Sequence, residues 1–275
     1  MNEELLVLQL DESHENVIKK REFAHYTALK VIDLPKGIEV IEDYAFYRCL
    51  SLEEIYLYAG IKRLGCGAFM GCKKLKKIVI RDVEDDIYFL TEILYDFQYE
   101  VEVEIYYKNG NFVKLTFPEY YEEAVENTPG RIIEIVFHGS GYKYRQCIRN
   151  RQLNYEKYDS VFVYAIAQEF TPTCIRIALN RLSTPINLRE NAKERYLEYL
   201  REESGEVAKF ICKDDDLESL SVLFENGYFT EELLREFQDK ASAMGRAEMA
   251  GYLLNYGLEH FKPKKKSFDF DDFDF

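Results

Sequence analysis

Apolar positions near the N-terminus recur at a fixed step of 23 residues. Phe23, Phe46 and Phe69 form one column, and Leu29, Leu52 and Leu75 a second. Ile32, Ile55 and Ile78 form a third; Leu34, Leu57 and Ile80 a fourth; Ile18, Ile41 and Leu64 a fifth. Ala45 with Ala68, and Cys49 with Cys72, keep the same step. Apolar columns sharing one register predict stacked coils that each bury a face against the next, a solenoid. The coils fall at about 18–40, 41–63 and 64–83, with a strand expected over 5–10 ahead of them. Within a coil, period-two alternation turns Ile55 and Leu57 inward and leaves Glu54, Tyr56 and Tyr58 on the solvent side. The segments DYAFYRC and CGAFMGC form the second side of each coil. There alanine permits close approach and phenylalanine fills the centre.

Beyond residue 83 the pattern decays. Ile87, Val101 and Val103 fall near the expected columns, but the phenylalanine and alanine columns are lost, as terminal repeats often lose theirs. EVEVEIYY and NFVKLTF then alternate with period two around Asn109-Gly110, which predicts a hairpin closing the solenoid. From Glu119 the pattern reads as helical. Helices are expected over 119–127, 129–138, 142–151, 155–169, 172–182, 188–203, 206–213, 216–226, 231–244 and 247–256. Stretch 131–137 also alternates and reads equally as a strand. Thr128-Pro129 and Thr171-Pro172 read as helix starts, Asn187 with Glu190 and Asp215 with Glu218 as capping boxes, and Gly227, Gly245 and Gly257 as C-terminal caps.

The repeats LPKGIEVIEDYAFYRCLSLEEIYL and AGIKRLGCGAFMGCKKLKKIVI resemble the BspA-like leucine-rich repeats of bacteria, over roughly residues 18–83. That resemblance implies a small parallel sheet and a role in binding proteins or surfaces. Family members with such a role are often secreted. Near the C-terminus, Ala241, Gly245, Leu253, Leu254 and Gly257 resemble an ankyrin helical hairpin. The expected fold is therefore α+β: a short leucine-rich-repeat β-solenoid capped by a β-hairpin, then an all-α array of helical hairpins. The expected domains are 1–118, 119–261 and a tail at 262–275.

Charge and cysteine usage narrow the setting. The chain has a net charge of −14 and a pI near 4.9, which opposes a nucleic-acid partner that needs a basic face. No apolar run is long enough for a membrane helix. The opening MNEELLVLQLDESHE has neither a basic leader nor a cleavage site, so a cytoplasmic location is expected. Cysteines stand at 49, 66, 72, 147, 174 and 212 without a CxxC pair, which favours buried thiols over a zinc site.

Four stretches carry residues that chemistry uses. The loop His138-Gly139-Ser140-Gly141 can cradle an anion if a strand precedes it and a helix follows, although neither a dinucleotide nor a phosphate-loop fingerprint is present. His138, Ser140 and Cys147 have the residue types of a hydrolase but no spacing that specifies one. Tyr142, Tyr144, Arg145, Arg149 and Arg151 mix aromatic and basic groups in the manner of an RNA contact. Asp214, Asp215 and Asp216 lack the spacing of a calcium loop and suit a helix start. In each case the structural explanation is preferred.

The reading that follows is a non-catalytic protein-interaction or scaffold module of a bacterial cell, with no cofactor and no metal. The interaction candidates are Glu54, Tyr56, Tyr58, Lys77 and Arg81. The partner is an unidentified protein, and weak self-association is left open. One alternative is a surface or host-facing binder exported by another route. Another is a nucleotide or anion binder, or an enzyme, centred on 138–149. The tail KPKKKSFDFDDFDF resembles the acidic, phenylalanine-terminated tip of bacterial single-stranded-DNA-binding proteins. Phe268, Phe270, Phe273 and Phe275 are its docking candidates, in cis or in trans.

Overall fold

The computed structural model describes residues 6–10, 15–127 and 132–261. In chain order its elements begin with β1 (Val7–Gln9), β2 (Val17–Ile18), β3 (Val31–Asp33), β4 (Val40–Ile41), β5 (Glu54–Tyr58), β6 (Arg63–Leu64) and β7 (Lys77–Val83). Next come α1 (Tyr88–Asp96), β8 (Val101–Tyr107), β9 (Phe112–Phe117), β10 (Tyr121–Asn127), β11 (Ile132–His138), α2 (Gly141–Arg145), β12 (Ile148–Arg149) and β13 (Gln152–Leu153). The remaining helices are α3 (Tyr155–Gln168), α4 (Thr171–Ser183), α5 (Glu190–Glu202), α6 (Ser204–Asp214), α7 (Leu217–Glu225), α8 (Glu231–Ala243) and α9 (Ala247–His260). The fold class is α+β, a β-solenoid followed by a helical region.

The 23-residue step is the pitch of the coil. The main sheet runs β1-β3-β5-β7-β8-β9, parallel until β9 returns antiparallel to β8. Its register pairs Ile32 with Ile55 and Ile55 with Ile78, so each apolar column stands vertically through the stack. A second, parallel sheet, β2-β4-β6, pairs Ile18 with Ile41 and Ile41 with Leu64. Between the two sheets the phenylalanine rings stack nearly parallel, Phe23 on Phe46 at 5.4 Å and Phe46 on Phe69 at 5.2 Å. Cys49 and Cys72 are buried one coil apart. Each thiol donates to a phenylalanine carbonyl of the preceding coil, Cys49 Sγ to Phe23 O at 3.2 Å and Cys72 Sγ to Phe46 O at 3.3 Å.

The fourth coil keeps the strand and replaces the rest. β8 continues the register, Ile78 opposite Val103, while α1 takes the place of the alanine–phenylalanine turn. Phe89, Leu90, Ile93 and Leu94 of α1 are buried and lid the core. The edge of β9 is closed by side chains. The Tyr158 hydroxyl accepts from Thr116 N at 3.0 Å and donates to Thr116 O at 2.6 Å, and Thr184 Oγ1 accepts from Lys114 N at 3.0 Å. Helix α4 packs along β9. A sheet edge left open invites further strands, so these bonds end the solenoid on this side.

Three expected helices are corrected. Within the stretches expected as helices over 119–127 and 129–138, Tyr121–Asn127 and Ile132–His138 form the antiparallel pair β10–β11, so the strand reading of 131–137 holds for its described residues. Cross-strand contacts outweigh the helix propensity of the glutamates: Tyr121 stacks on His138 at 4.5 Å, and His138 Nε2 pairs with Glu123 at 2.9 Å. The helix expected over 142–151 stops at Arg145. Asn150 and Arg151 take φ of 51° and 67° and form the two-residue turn of hairpin β12–β13, so the helix cannot run through them.

Helix ends are corrected as well. Thr171 lies inside α4, whose N-cap is Phe170. Asp216, not Asp215, caps α7, while Asp215 ends α6 in the left-handed conformation. Asn187 takes φ of 51° ahead of α5, which starts at Glu190. Gly227 and Gly245 adopt positive φ as expected, but Gly257 lies within α9. A Cβ there would come within 2.9 Å of Leu234 of α8, so the glycine serves close helix packing instead. Thr128-Pro129 and the tail phenylalanines lie outside the described residues.

By backbone packing the chain forms two compact units, Met1–Tyr196 and Leu197–Phe275. In the first, the helices are bound to the solenoid by polar groups satisfied in the interior. The buried Arg145 guanidinium donates to five carbonyls, those of Leu94, Phe97, Tyr99, Pro118 and Gly141, and lies 4.8 Å from the Tyr120 ring. Burial lowers its pKa to about 10. Arg181 grips Asp159 with two bonds of 2.7 and 3.0 Å, and the Tyr196 hydroxyl donates to the same carboxylate at 2.9 Å. In the second unit, α8 and α9 pack as a helical hairpin, α6 lies on α8, and Tyr228, Phe229 and Phe237 form an aromatic cluster.

Candidate interaction face

Parallel pairing brings the five candidates together on the solvent side of the main sheet. Glu54 stands opposite Lys77, and Tyr58 opposite Arg81; Tyr56, between Glu54 and Tyr58 on the same face, stands opposite Val79. All five are half-buried. The Arg81 guanidinium lies 5.0 Å from the Tyr56 ring and 5.4 Å from the Tyr58 ring, and its Nη1 is 3.0 Å from Asp33 Oδ1. The Tyr56 hydroxyl donates to Glu54 at 2.6 Å, and Lys77 Nζ pairs with Glu104 at 2.8 Å.

Ionisation on this face follows from those contacts. The hydrogen bond to the Glu54 carboxylate, then burial, raises the Tyr56 phenol. For Lys77, burial is the largest single influence and works against the charge, but the bond to Glu104 and the negative charge of Glu104 and its neighbours together outweigh it, and the pKa rises. The face is thus a set of mutually held charged and aromatic groups.

The same face extends further than sequence reasoning placed it. Asp33, Val79, Glu104, Tyr106 and Lys114 share it, with Tyr106 stacked on Phe112 at 4.7 Å. Two signals point to them: Asp33, Tyr56 and Val79 keep the 23-residue step, and Glu102 and Glu104 alternate with valines. Where α4 meets the sheet, a cleft of about 340 Å³ opens between Glu54, Lys77, Glu102 and Arg176. Thr173 Oγ1 and Arg176 both hold Glu100 on its wall.

The other candidate stretches are occupied by the protein itself. A strand does precede the loop at 139, and a helix follows. Yet the Ser140 amide and hydroxyl both donate to Glu169 at 2.6 Å, so a carboxylate of the chain already sits there. A Cβ on Gly141 would meet the Pro118 carbonyl at 2.1 Å, so this glycine serves close packing of the loop on the backbone beneath it. His138 is engaged with Tyr121 and Glu123. Cys147 is buried, donates to Lys143 O at 3.4 Å, and has its thiol pushed up to about 12 by burial. Of the basic and aromatic cluster, Tyr144 and Arg145 are interior, and Arg151 pairs with Asp86 at 2.6 Å. Asp216 accepts from Ser219 N at 3.0 Å and from its hydroxyl at 2.6 Å. Among the described residues no cluster of three or more metal-binding side chains exists.

Residues 7–103 match the family model described as the BspA type leucine rich repeat region, in six copies. The solenoid is a BspA-type leucine-rich repeat. The match runs past residue 83 and takes in the fourth coil, where only the strand columns survive. This family suggests a protein-interaction module. No curated protein matches the chain. No solved structure matches it either. No match supports the ankyrin likeness of the C-terminal hairpin. Among the described residues no helix is long and apolar enough to cross a membrane.

Proposed function

We propose that this protein is a non-catalytic interaction or scaffold module of a bacterial cytoplasm, and that its partner docks on the solvent side of the main sheet. The observation that carries the reading is the packing of Arg81 against Tyr56 and Tyr58 beside an open cleft. Aromatic and arginine side chains are the usual anchors of protein interfaces. Here they are already fixed by neighbours, so a partner loses little entropy in ordering them. The tail phenylalanines Phe268, Phe270, Phe273 and Phe275 form a second, linear docking segment in this reading.

The test is affinity capture on the immobilised whole chain. A partner held by the wild type should be lost with Tyr56→Ser combined with Arg81→Glu, while the chain still unfolds cooperatively. Capture that survives both substitutions would remove the sheet face from the proposal. Deleting 262–275 separates the tail from the face. Fractionation of native cells checks the compartment.

A further inference from the structure

A second cleft, of about 510 Å³, lies where hairpin β10–β11 meets the start of α4. Its chemistry differs from that of the sheet face. Glu100, Glu119 and Glu169 line it together with aromatic rings, and among the described residues no lysine or arginine does. Glu100 is neutralised by Arg176. Among the described residues Glu119 forms no ion pair with a lysine or arginine, while Glu169 feels the buried Arg145 guanidinium without a direct ion pair to it. Glu169 is held in place by Ser140. Gly139, at φ of 84°, lets the loop close over the Glu119 backbone and form the floor.

The rim is aromatic and unusually open. Phe170 is 84% exposed and Tyr121 56%. Phe137, stacked on Tyr142 at 3.8 Å, presents its other side outward. Ring faces carry negative quadrupole potential, and carboxylates add to it. Tyr120 already shows the preference, since one of its neighbours is the Arg145 guanidinium. Exposed apolar surface continues from Phe137 to Ile135 along a hairpin that pairs with no third strand among the described residues. Such a surround exceeds what a small free cation can cover.

We propose that this cleft receives a lysine or arginine side chain presented by a protein partner, with the apolar flank of the partner resting on Phe170, Phe137 and Ile135. Charge complementarity selects a basic occupant, and the exposed aromatic rim selects a chain over a free ion. The site lies outside Tyr56, Tyr58 and Arg81, so it stands or falls separately from the sheet face.

The probe is N-acetyl-Leu-Arg-Leu-amide, titrated by calorimetry into the full chain at low ionic strength. The citrulline analogue, equal in shape and neutral, is the control. Saturable binding is expected for the arginine peptide, about tenfold weaker for citrulline. Glu119→Gln and Phe170→Ala should each weaken it about fivefold without lowering the melting temperature, because both residues are exposed. Tyr56→Ser should leave it unchanged. The proposal is overturned if no arginine peptide binds, if citrulline binds equally, or if the two variants keep wild-type affinity. Agmatine or spermidine binding as tightly as the peptide would also overturn it, in favour of a free metabolic cation.

Discussion

A single side chain in the stack carries a large share of local stability. Phe46 is fully buried, and its ring is sandwiched between those of Phe23 and Phe69. Phe46→Ala should cost about 3–5 kcal/mol. Tyr56→Ala, on the opposite side of the sheet, should cost less than half of that, and chemical denaturation of both variants checks the difference. Equal losses would mean that the inward and outward registers are interchanged. These residues were legible from sequence because identical side chains recur at one step, and only stacking rewards such recurrence. Arg145 was not. Its place in a basic and aromatic cluster points to acidic partners or an RNA contact, and nothing local reveals that five carbonyls from three separate segments converge on it.

At the scale of elements, legibility followed the length and purity of the period. The main-sheet strands and the hairpin at Asn109-Gly110 have clean alternation and were expected. Helix α1 was missed, although Phe89, Leu90, Ile93 and Leu94 have helical spacing. It stands where a repeat turn belongs, and the repeat pattern masked it. Hairpin β10–β11 is less legible: glutamate and alanine favour helix over 119–127, 131–137 reads either way, and the strand pairing depends on contacts between distant residues. The same long-range logic makes Arg145 a test of how these elements are joined. Arg145→Met leaves the buried carbonyls at Leu94, Phe97, Pro118 and Gly141 without this donor, each at about 1–3 kcal/mol if nothing replaces it, and frees the more accessible carbonyl of Tyr99. Loss of hydrogen-exchange protection should therefore appear first around α1 and α2, with the strands β3–β7 still protected. Uniform loss across the solenoid would argue against this local role.

For the molecule as a whole, tyrosine usage sets the response to alkali. Burial raises Tyr144, Tyr158 and Tyr196 well above the ordinary phenol value and also raises Tyr155 and Tyr228. Cys147 is pushed up to about 12. These groups stay neutral in the native state, whereas in the unfolded chain thiols ionise near 8.5 and phenols near 10. Above those values the unfolded chain binds fewer protons than the native one, so stability falls as pH rises. It should be intact at pH 7, decline from about pH 8.5, and fall steeply beyond about pH 10. Denaturation midpoints from pH 7 to 11, with tyrosinate absorbance followed in parallel, check this. Complete tyrosine ionisation before unfolding would contradict it.

The unequal ends of the solenoid have a bearing on how such a chain changes over generations. One end is sealed by Tyr158 and Thr184, while the coils behind it repeat one set of core contacts. The molecule is in effect a ruler fixed at one end, able to lengthen in whole units without redesign of its terminus. A tandem duplication of residues 41–63 meets Phe46 and Ile41 with copies of themselves, and each new strand lengthens the stack by about 4.8 Å. Such a variant should be soluble and melt no lower than the parent, because each added coil contributes one more interface of a kind already present. A duplication out of phase by a few residues should aggregate. Growth by whole coils would then lengthen the sheet while leaving its β9 edge as it is.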